Sequence, residues 1–359
     1  MYRKLSLPIR EWLFVLGAWL ILFYLYFFIS YWGVQDFIKE GLIRDYMFSW
    51  QVHIEISGQA ILFGMLYNLV DYIFDKSRLS RSTFGKIILY KSIFYSLSIG
   101  IAGVVVFLIF YAFSLKPIEE IERMAQLITW PYMFSITLYI TGAILLLNFL
   151  SQVNRKFGPG NMIKFIMGRY HSPREEDRIF LFLDLKNSTK IAEDLGNYNY
   201  SRLLQNCFQD LTDIIIKYEA DVYQYVGDEV VLSWLVERGL KNKNCIKFYF
   251  AYELKLESRH EFYKSAFKTM PEFRGGMEMG KVTVAEVGEI KREIAYHGDV
   301  LNTASRIQSK CKDYNQKLLV SHHIIDSTEE WTGFDLEKIE QVELRGKKDG
   351  LDIYAVNLI

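Results

Sequence analysis

The stretch at residues 179–184 reads Ile179-Phe180-Leu181-Phe182-Leu183-Asp184, five apolar residues that end in a carboxylate. A second stretch, Tyr223-Gln224-Tyr225-Val226-Gly227-Asp228-Glu229-Val230-Val231, reads as strand, tight turn and strand, with Asp228 at the turn. Proteins usually hold Mg²⁺ with one or two carboxylates and complete its coordination with water and phosphate oxygens. The two aspartates therefore predict a site for divalent cations that acts on nucleotide phosphates.

Helical and strand patterns alternate around these two aspartates. Apolar residues between Leu203 and Ile215 recur at i, i+3 and i+4, which gives a predicted helix one apolar face for a sheet. This order predicts an α/β domain, built as a ferredoxin-like α+β sandwich, over residues 179–359. Besides the strands and turn around Asp228, we expect helices near 188–196, 199–219, 243–268 and 299–313, and strands near 179–184, 273–280, 282–289, 317–321, 341–345 and 351–357.

The first 150 residues have a different character. The chain is 51% hydrophobic over 359 residues, and the apolar residues concentrate before about residue 152. The first apolar stretch is longer than the core of a signal peptide and lacks a cleavage site after it, so we interpret it as a retained helix. Residues 1–150 are therefore predicted to form a four-helix transmembrane domain in a lipid bilayer. The four stretches that approach or exceed the ~20 residues needed to cross a bilayer lie near 12–33, 54–74, 88–114 and 128–150.

Basic residues predict the orientation of these spans. Twelve Lys and Arg lie at the N-terminus, in the loop after the second span and after the fourth, against four in the other two loops. Since Lys and Arg are kept on the cytoplasmic side, we expect a multi-pass protein of the inner (plasma) membrane with both termini in the cytoplasm. Glu55 and Asp71 lie at opposite ends of the second span. They indicate either a site for sensing or helix packing, or two charged side chains that reach the lipid headgroups.

Residues 151–178 are predicted to link the two parts of the chain. Gly158-Pro159-Gly160 breaks any helix that continues from the fourth span, and a charged stretch at 174–178 precedes the first strand. The segment is either an element that couples the two domains or a simple tether.

The charge balance and the cysteines exclude some classes of function. Basic and acidic residues number 42 each, so a polyanion such as nucleic acid is not an expected partner. Cys207, Cys245 and Cys311 have no metal-type spacing, and we interpret them as reduced thiols.

Four strings in the second half resemble the class III nucleotidyl cyclase catalytic domain in order and spacing. The resemblance covers essentially all of residues 179–357. The strings are Phe182-Leu183-Asp184-Leu185, Val226-Gly227-Asp228-Glu229, Gly275-Gly276-Met277-Glu278-Met279-Gly280 and His297-Gly298-Asp299-Val300-Leu301-Asn302-Thr303-Ala304-Ser305-Arg306.

The resemblance implies a two-metal adenylate or guanylate cyclase. Asp184, Asp228 and the backbone carbonyl of Leu185 would hold two Mg²⁺ or Mn²⁺ ions. The ribose 3′-hydroxyl would then attack the α-phosphate in line, and pyrophosphate would leave. Asn302 and Arg306, four residues apart on one helical face, would orient the ribose and stabilise charge on the α-phosphate.

Further implications concern the phosphates and the assembly. Leu344-Arg345-Gly346-Lys347-Lys348 resembles the family's basic hairpin, in which Lys347 would contact the β- and γ-phosphates. The family's metal aspartates and its Asn/Arg pair come from different copies of the domain, which implies a homodimer with shared active sites.

Three departures from the family pattern affect substrate choice and phosphate binding. The base-reading positions hold Gln224 and Ala295, and the loop at 186–189 lacks the usual Gly-Phe. A glutamine amide can serve either purine, and alanine offers no side-chain hydrogen bond. The bacterial members of the family favour ATP, so we interpret the chain as an adenylate cyclase. A guanylate cyclase and a catalytically silent nucleotide-binding module stay as alternatives, while the doubled glycine of diguanylate cyclases is missing.

Overall fold

The computed structural model describes residues 6–34, 49–76, 83–112, 130–157, 167–328, 330–342 and 350–359. The chain divides into two compact units, Met1–Pro159 and Gly160–Ile359. Lys347 and most of the predicted strand at 341–345 lie outside the described residues.

The first unit contains four long helices, one over each predicted span. Their lengths of 27 to 29 residues are enough to cross a bilayer. Among the described residues, two stretches are both long and apolar enough for a span, Trp12–Ser30 and Phe134–Val153. All four spans therefore stay predictions. The helices are α1 (Ser6–Val34), α2 (Trp50–Lys76), α3 (Phe84–Ala112) and α4 (Trp130–Phe157).

Aromatic side chains form the centre of this unit. Trp19 is fully buried, and the rings of Tyr67 and Tyr95 stack with centroids 4.2 Å apart. Apolar residues such as Ile21 and Leu138 face outward, as expected of helices whose surroundings are lipid.

Asp71 lies inside a polar contact between α2 and α3. Its carboxylate accepts hydrogen bonds from Lys91 and from the Tyr95 hydroxyl, the latter at 2.8 Å. Lys91 is almost completely buried, although the sequence placed it among the basic residues of a loop. Asn148 of α4 accepts a further hydrogen bond from Tyr67 at 3.0 Å. The helices are thus joined by buried polar contacts as well as by aromatic packing.

The second unit is built on one mixed sheet of eight strands, as expected for an α+β domain. The strand order is β2-β3-β1-β4-β6-β8-β7, and β5 pairs with the far half of β4. The β4–β6 pair is parallel and the other pairs are antiparallel. The strands are β1 (Arg174–Leu185), β2 (Asp221–Val226), β3 (Glu229–Leu235), β4 (Phe273–Val287), β5 (Glu293–His297), β6 (Leu318–Ser321), β7 (Phe334–Val342) and β8 (Leu351–Leu358).

Helices cover both faces of this sheet unequally. One face packs on residues of α5, α6, α8 and α9, including the buried Cys207 and Tyr252. The other face is covered by α10, through Ala304, Ile307 and Cys311. The helices are α5 (Ser188–Asp210), α6 (Thr212–Lys217), α7 (Val236–Leu240), α8 (Asn244–Glu257), α9 (His260–Phe267), α10 (Asp299–Asp313) and α11 (His322–Asp326), with a 3₁₀ turn at Lys241–Lys243.

Several element boundaries differ from the predicted ones. The predicted helix at 243–268 is broken at Ser258-Arg259 into α8 and α9. The predicted strands at 273–280 and 282–289 form one strand, β4, because Gly280 pairs with Arg178 and continues the ladder without a turn. In α5, Gly196 has φ 70°, which ends the first helical segment where the sequence predicts.

Strand β1 begins five residues before its predicted start because its charged residues are paired. Arg178 is buried, and its guanidinium donates to Glu176 at 2.9 Å, to Asp221 at 3.3 Å and to Ser233 at 2.8 Å. Burial disfavours an ionised Glu176, but the guanidinium holds the pKa of that carboxyl below its ordinary value. Arg178 also lies 4.8 Å from the centroid of the Tyr296 ring. A charged stretch that reads as linker is therefore part of the sheet.

Candidate active site

Two neighbouring strand ends bring Asp184 and Asp228 together. Asp184 is near the end of β1 and pairs with Glu229, the first residue of β3. Asp228 lies in the two-residue turn between β2 and β3, where Gly227 takes a positive φ of 61° that suits such a turn. Asp228 therefore lies beside Asp184, close enough for its charge to act on the Asp184 carboxyl group. The predicted pair is thus adjacent in the fold.

Two carboxyl groups of this cluster have raised pKa values. Burial and the nearby Asp228 raise the pKa of Asp184 to about 6. Burial, Asp184 and Asp228 raise the pKa of Glu229 to about 7. A divalent cation would neutralise the negative charges of these carboxylates at a half-buried site. The residues therefore fit a metal site. No group of three or more His, Cys, Asp or Glu able to hold a metal occurs in the described part of the chain.

The loop after β1 turns sharply although it lacks the usual glycine. Leu185 is buried. Asn187 takes the left-handed conformation, φ 58°, which asparagine tolerates better than most residues. Helix α5 starts at the next residue, Ser188. The N-terminus of α5 therefore lies four residues after Asp184, despite the altered loop.

Asn302 and Arg306 lie on the side of α10 that does not pack on the sheet. Asn302 is exposed and Arg306 is partly exposed, whereas Thr303 and Ile307 are fully buried. Within the part of the chain that the structure describes, neither side chain forms a hydrogen bond or ion pair with the two aspartates.

The predicted base-reading positions lie on β2 and β5, two strands that do not pair with each other. Gln224 is exposed on β2, directly after an irregularity in the β2–β3 pairing. Ala295 is partly buried on β5 and pairs with Ala285 of β4. The residues beside them, Tyr223 and Tyr296, are in contact with ring centroids 4.9 Å apart. The two positions are therefore close in the fold.

Two further side chains at the aspartates are absent from the sequence predictions. Gln308 of α10 is buried, and its side chain acts to lower the pKa of Asp184 against the larger opposite effects of burial and Asp228. Tyr200 of α5 lies near both aspartates. Burial is the main cause that raises the pKa of its hydroxyl, and the charge of Asp228 raises that pKa further. Neither residue belongs to a local motif, although Gln308 follows Arg306 by two positions on the same helix.

Comparison with known proteins gives consistent matches to this unit. The family described as "Adenylate and Guanylate cyclase catalytic domain" matches residues 171–357. "Adenylate cyclase 2" of Rhizobium meliloti is 27% identical over 208 residues, which are 58% of this chain and 57% of that protein. "Adenylate cyclase 1" of the same organism is 25% identical over 181 residues, 49% of this chain and 27% of that protein. The chain thus matches only part of the length of either relative.

A solved structure shares the fold. It is described as a bacterial light-regulated adenylyl cyclase and superposes with a TM-score of 0.52 at 20% sequence identity. The match covers 61% of this chain and 63% of that one.

Proposed function

Because the chain belongs to the family of adenylate and guanylate cyclase catalytic domains, as its motifs predict, we propose that it is a membrane-bound adenylate cyclase. It converts ATP to 3′,5′-cyclic AMP and pyrophosphate. The observation that carries this proposal is the pairing of Asp184 with Glu229, which places Asp184 beside Asp228 at adjoining strand ends of a domain of this family. The adenylate cyclase relatives support ATP as the substrate.

The metal-binding role falls to Asp184, Asp228 and the backbone carbonyl of Leu185. Two bound divalent cations, Mg²⁺ or Mn²⁺, would stabilise negative charge on the ribose 3′-oxygen and on the triphosphate. The carboxylates orient the nucleotide so that the 3′-oxygen faces the α-phosphorus. The 3′-hydroxyl gives up its proton to solvent, a bond forms between its oxygen and the α-phosphorus, the bond from the α-phosphorus to the bridging oxygen breaks, and pyrophosphate leaves.

Asn302 and Arg306 complete the site from a second copy of the chain. Asn302 holds the ribose, and the Arg306 guanidinium neutralises charge that builds on the α-phosphate oxygens. Their position on the far side of α10 from the sheet supports an arrangement in which they serve the partner's aspartates. The expected assembly is a homodimer with two shared sites.

Substrate recognition falls to three further positions. Gln224 and Ala295, brought close by the contact of their neighbours Tyr223 and Tyr296, line the position of the base. Lys347 binds the β- and γ-phosphates. The helix dipole at the N-terminus of α5 adds to the attraction for phosphate.

The first 150 residues anchor the enzyme in the inner (plasma) membrane through four spans, with both termini in the cytoplasm. Two of the four helices meet the length and apolarity of a span, which supports this part of the proposal. The outward-facing apolar side chains of the helices support it as well.

The test is nucleotide turnover by the purified full-length protein with ATP or GTP and Mn²⁺ or Mg²⁺. We expect the wild type to form cyclic AMP. In Asp228→Asn the rate should fall by about three orders of magnitude, because the catalytic groups act as a unit and the loss of one removes most of the rate. Asp313→Asn is the matched control, since Asp313 is a surface carboxylate of α10 paired with Lys310.

The other outcomes separate the alternatives. Cyclic GMP in place of cyclic AMP would keep the mechanism and reverse the substrate. A folded dimer that binds ATP without forming either product would identify a silent signalling module. Shared sites predict that Asp184→Ala and Arg306→Ala, each inactive alone, restore activity when they are co-expressed; intact mixed dimers without activity would contradict that arrangement.

A further inference from the structure

Strands β2 and β5, which carry the two base-reading positions, are far apart in the order of the sheet. Four strand-to-strand steps, through β3, β1 and β4, separate them. Neighbouring strands are ~4.8 Å apart, so a flat sheet would place β2 and β5 roughly 19 Å from each other. The ring centroids of Tyr223 on β2 and Tyr296 on β5 are nevertheless 4.9 Å apart. The hairpin of β4 and β5, residues 283–297, therefore folds over the face of the sheet that α10 covers.

Arg178 of β1 lies between β2 and this folded hairpin. Its side chain is buried, with the residue 1% exposed. The guanidinium carbon is 4.8 Å from the centroid of the Tyr296 ring. The same guanidinium donates a hydrogen bond to the Asp221 carboxylate on β2 at 3.3 Å. One buried side chain is therefore in contact with both strands.

Tyr170, in the segment before β1, holds both Arg178 and the hairpin. Its hydroxyl donates to Glu176 Oε1 at 2.9 Å, and Glu176 Oε2 accepts from Arg178 Nε at 2.9 Å. The backbone carbonyl of Tyr170 accepts from the Glu286 N–H at 2.8 Å. Glu286 pairs with Ile294 inside the hairpin. The orientation of the guanidinium and the fold of the hairpin thus depend on one set of contacts.

We propose that Arg178 is a positioning residue for base recognition, which fixes the separation of Gln224 and Ala295. This inference rests on the proposed function. Its acceptor Asp221 lies three residues before Gln224 on β2. Its aromatic partner Tyr296 directly follows Ala295 on β5. Because Arg178 is buried, it acts through these neighbours and does not touch the nucleotide.

The chemistry of the guanidinium suits this role. Apolar side chains of similar volume in place of a whole buried ion-paired cluster are often at least as stable, so stability alone does not explain the charge at Arg178. The planar fork of arginine donates in fixed directions and can lie over an aromatic ring at the same time. It therefore sets the position of the hairpin relative to β2, whereas apolar packing would only hold the two together.

The test compares nucleotide binding by two variants of the full-length protein in the presence of Mn²⁺. Arg178→Lys keeps the buried charge and removes the planar fork. Arg292→Lys is the matched control, because it makes the same change at the turn of the same hairpin, where the side chain is 56% exposed and pairs with Glu286. One probe is 3′-deoxy-ATP, which lacks the attacking hydroxyl and cannot be cyclised. The other is inorganic tripolyphosphate, which has no base. Titration calorimetry gives both affinities, and the melting temperature of each variant is recorded.

We expect Arg178→Lys to weaken binding of 3′-deoxy-ATP about 5-fold, the change that corresponds to the loss of one ordinary hydrogen bond to the base. Its affinity for tripolyphosphate should stay within about 2-fold of wild type, because Asp184 lies roughly 20 Å further along β1 and distant sites are energetically independent. Arg292→Lys should bind both probes as the wild type does.

An equal loss for both probes would show that Arg178 supports only the fold, and it would overturn the proposal. Unchanged affinity of folded Arg178→Lys for 3′-deoxy-ATP would overturn it as well. If Arg178→Lys does not fold, Asp221→Ala carries the same test, since it removes the acceptor on β2 at a position whose side chain is 27% exposed. These measurements do not depend on turnover. A wild type that binds 3′-deoxy-ATP and makes no cyclic nucleotide from ATP or GTP would refute the proposed function and leave this comparison valid.

Discussion

Replacing Gly276 with alanine should separate α10 from the sheet. The added Cβ would be 2.5 Å from the Gln308 Cα, and ordinary van der Waals contact begins at 3.4 Å, so the helix must retreat by about 0.9 Å. The neighbouring atoms belong to backbone and cannot rotate away. Overpacking of this kind costs about 1–3 kcal/mol.

The helix that moves carries both predicted catalytic residues. A misplacement of about 1 Å can reduce an enzymatic rate about 100-fold. We therefore expect Gly276→Ala to lose about two orders of magnitude in cyclase activity. A loss of about 1–3 kcal/mol in local stability corresponds to a fall of about 5- to 140-fold in hydrogen-exchange protection.

The assay is hydrogen exchange with mass spectrometry on the full chain, read on peptides from β4 and α10, together with cyclic nucleotide formation. Gly280→Ala is the matched control on the same strand and face, because its added Cβ would meet only the Val300 Cγ2, at 2.9 Å. A side-chain end can shift at little cost, so this variant should stay close to wild type. Wild-type protection and activity in Gly276→Ala would refute the reasoning.

Two more predictions concern the charges of the second unit. Asp184 and Glu229 have ordinary pKa values of 3.8 and 4.5 and values of about 6 and 7 in the folded protein, so the folded state binds more protons than the unfolded state between about pH 4 and 7. The stability that they contribute is present below about pH 4 and is lost as the pH rises to about 7. The melting temperature of the metal-free protein should therefore fall across this pH window, and it should fall less in Asp184→Asn. An Asp184→Asn curve of melting temperature against pH that is parallel to wild type would contradict the assignment. Arg178→Met should lower the free energy of unfolding by about 3–5 kcal/mol, since it leaves Glu176 and Asp221 without their cation at a buried site. Urea unfolding of the full chain, compared with the surface variant Lys338→Met, measures this loss.

The sequence predicts the parts of the site that depend on local pattern. Asp184 and Asp228 each end an apolar run, and the register of β1 and β3 then brings them together. The helix at 299–313 and the break at Gly196 also follow local signals. These features need only the spacing of apolar residues and the preferences of turn residues.

The contacts that depend on distant segments could not be predicted in this way. Arg178 lies in a charged stretch that looks solvent-exposed, and its partner Asp221 is 43 residues away. The burial of Gln308 has no local signal, because it depends on how closely α10 approaches Gly276. The short strand β5 was missed, since its pairing with β4 comes from the tertiary fold and not from an alternating pattern of its own.

The buried contact between Asp71 and Lys91 has a consequence for biogenesis in the proposed membrane-spanning arrangement. Each charge alone makes insertion of its helix into the membrane less favourable, since ionisable groups within a span carry a free-energy penalty. The two side chains satisfy each other only after α2 and α3 are adjacent. These consecutive helices are therefore expected to leave the translocation machinery together, as a paired hairpin. A nascent chain that ends before α3 would keep the Asp71 carboxylate without its partner in the membrane, and we expect such a chain to be degraded.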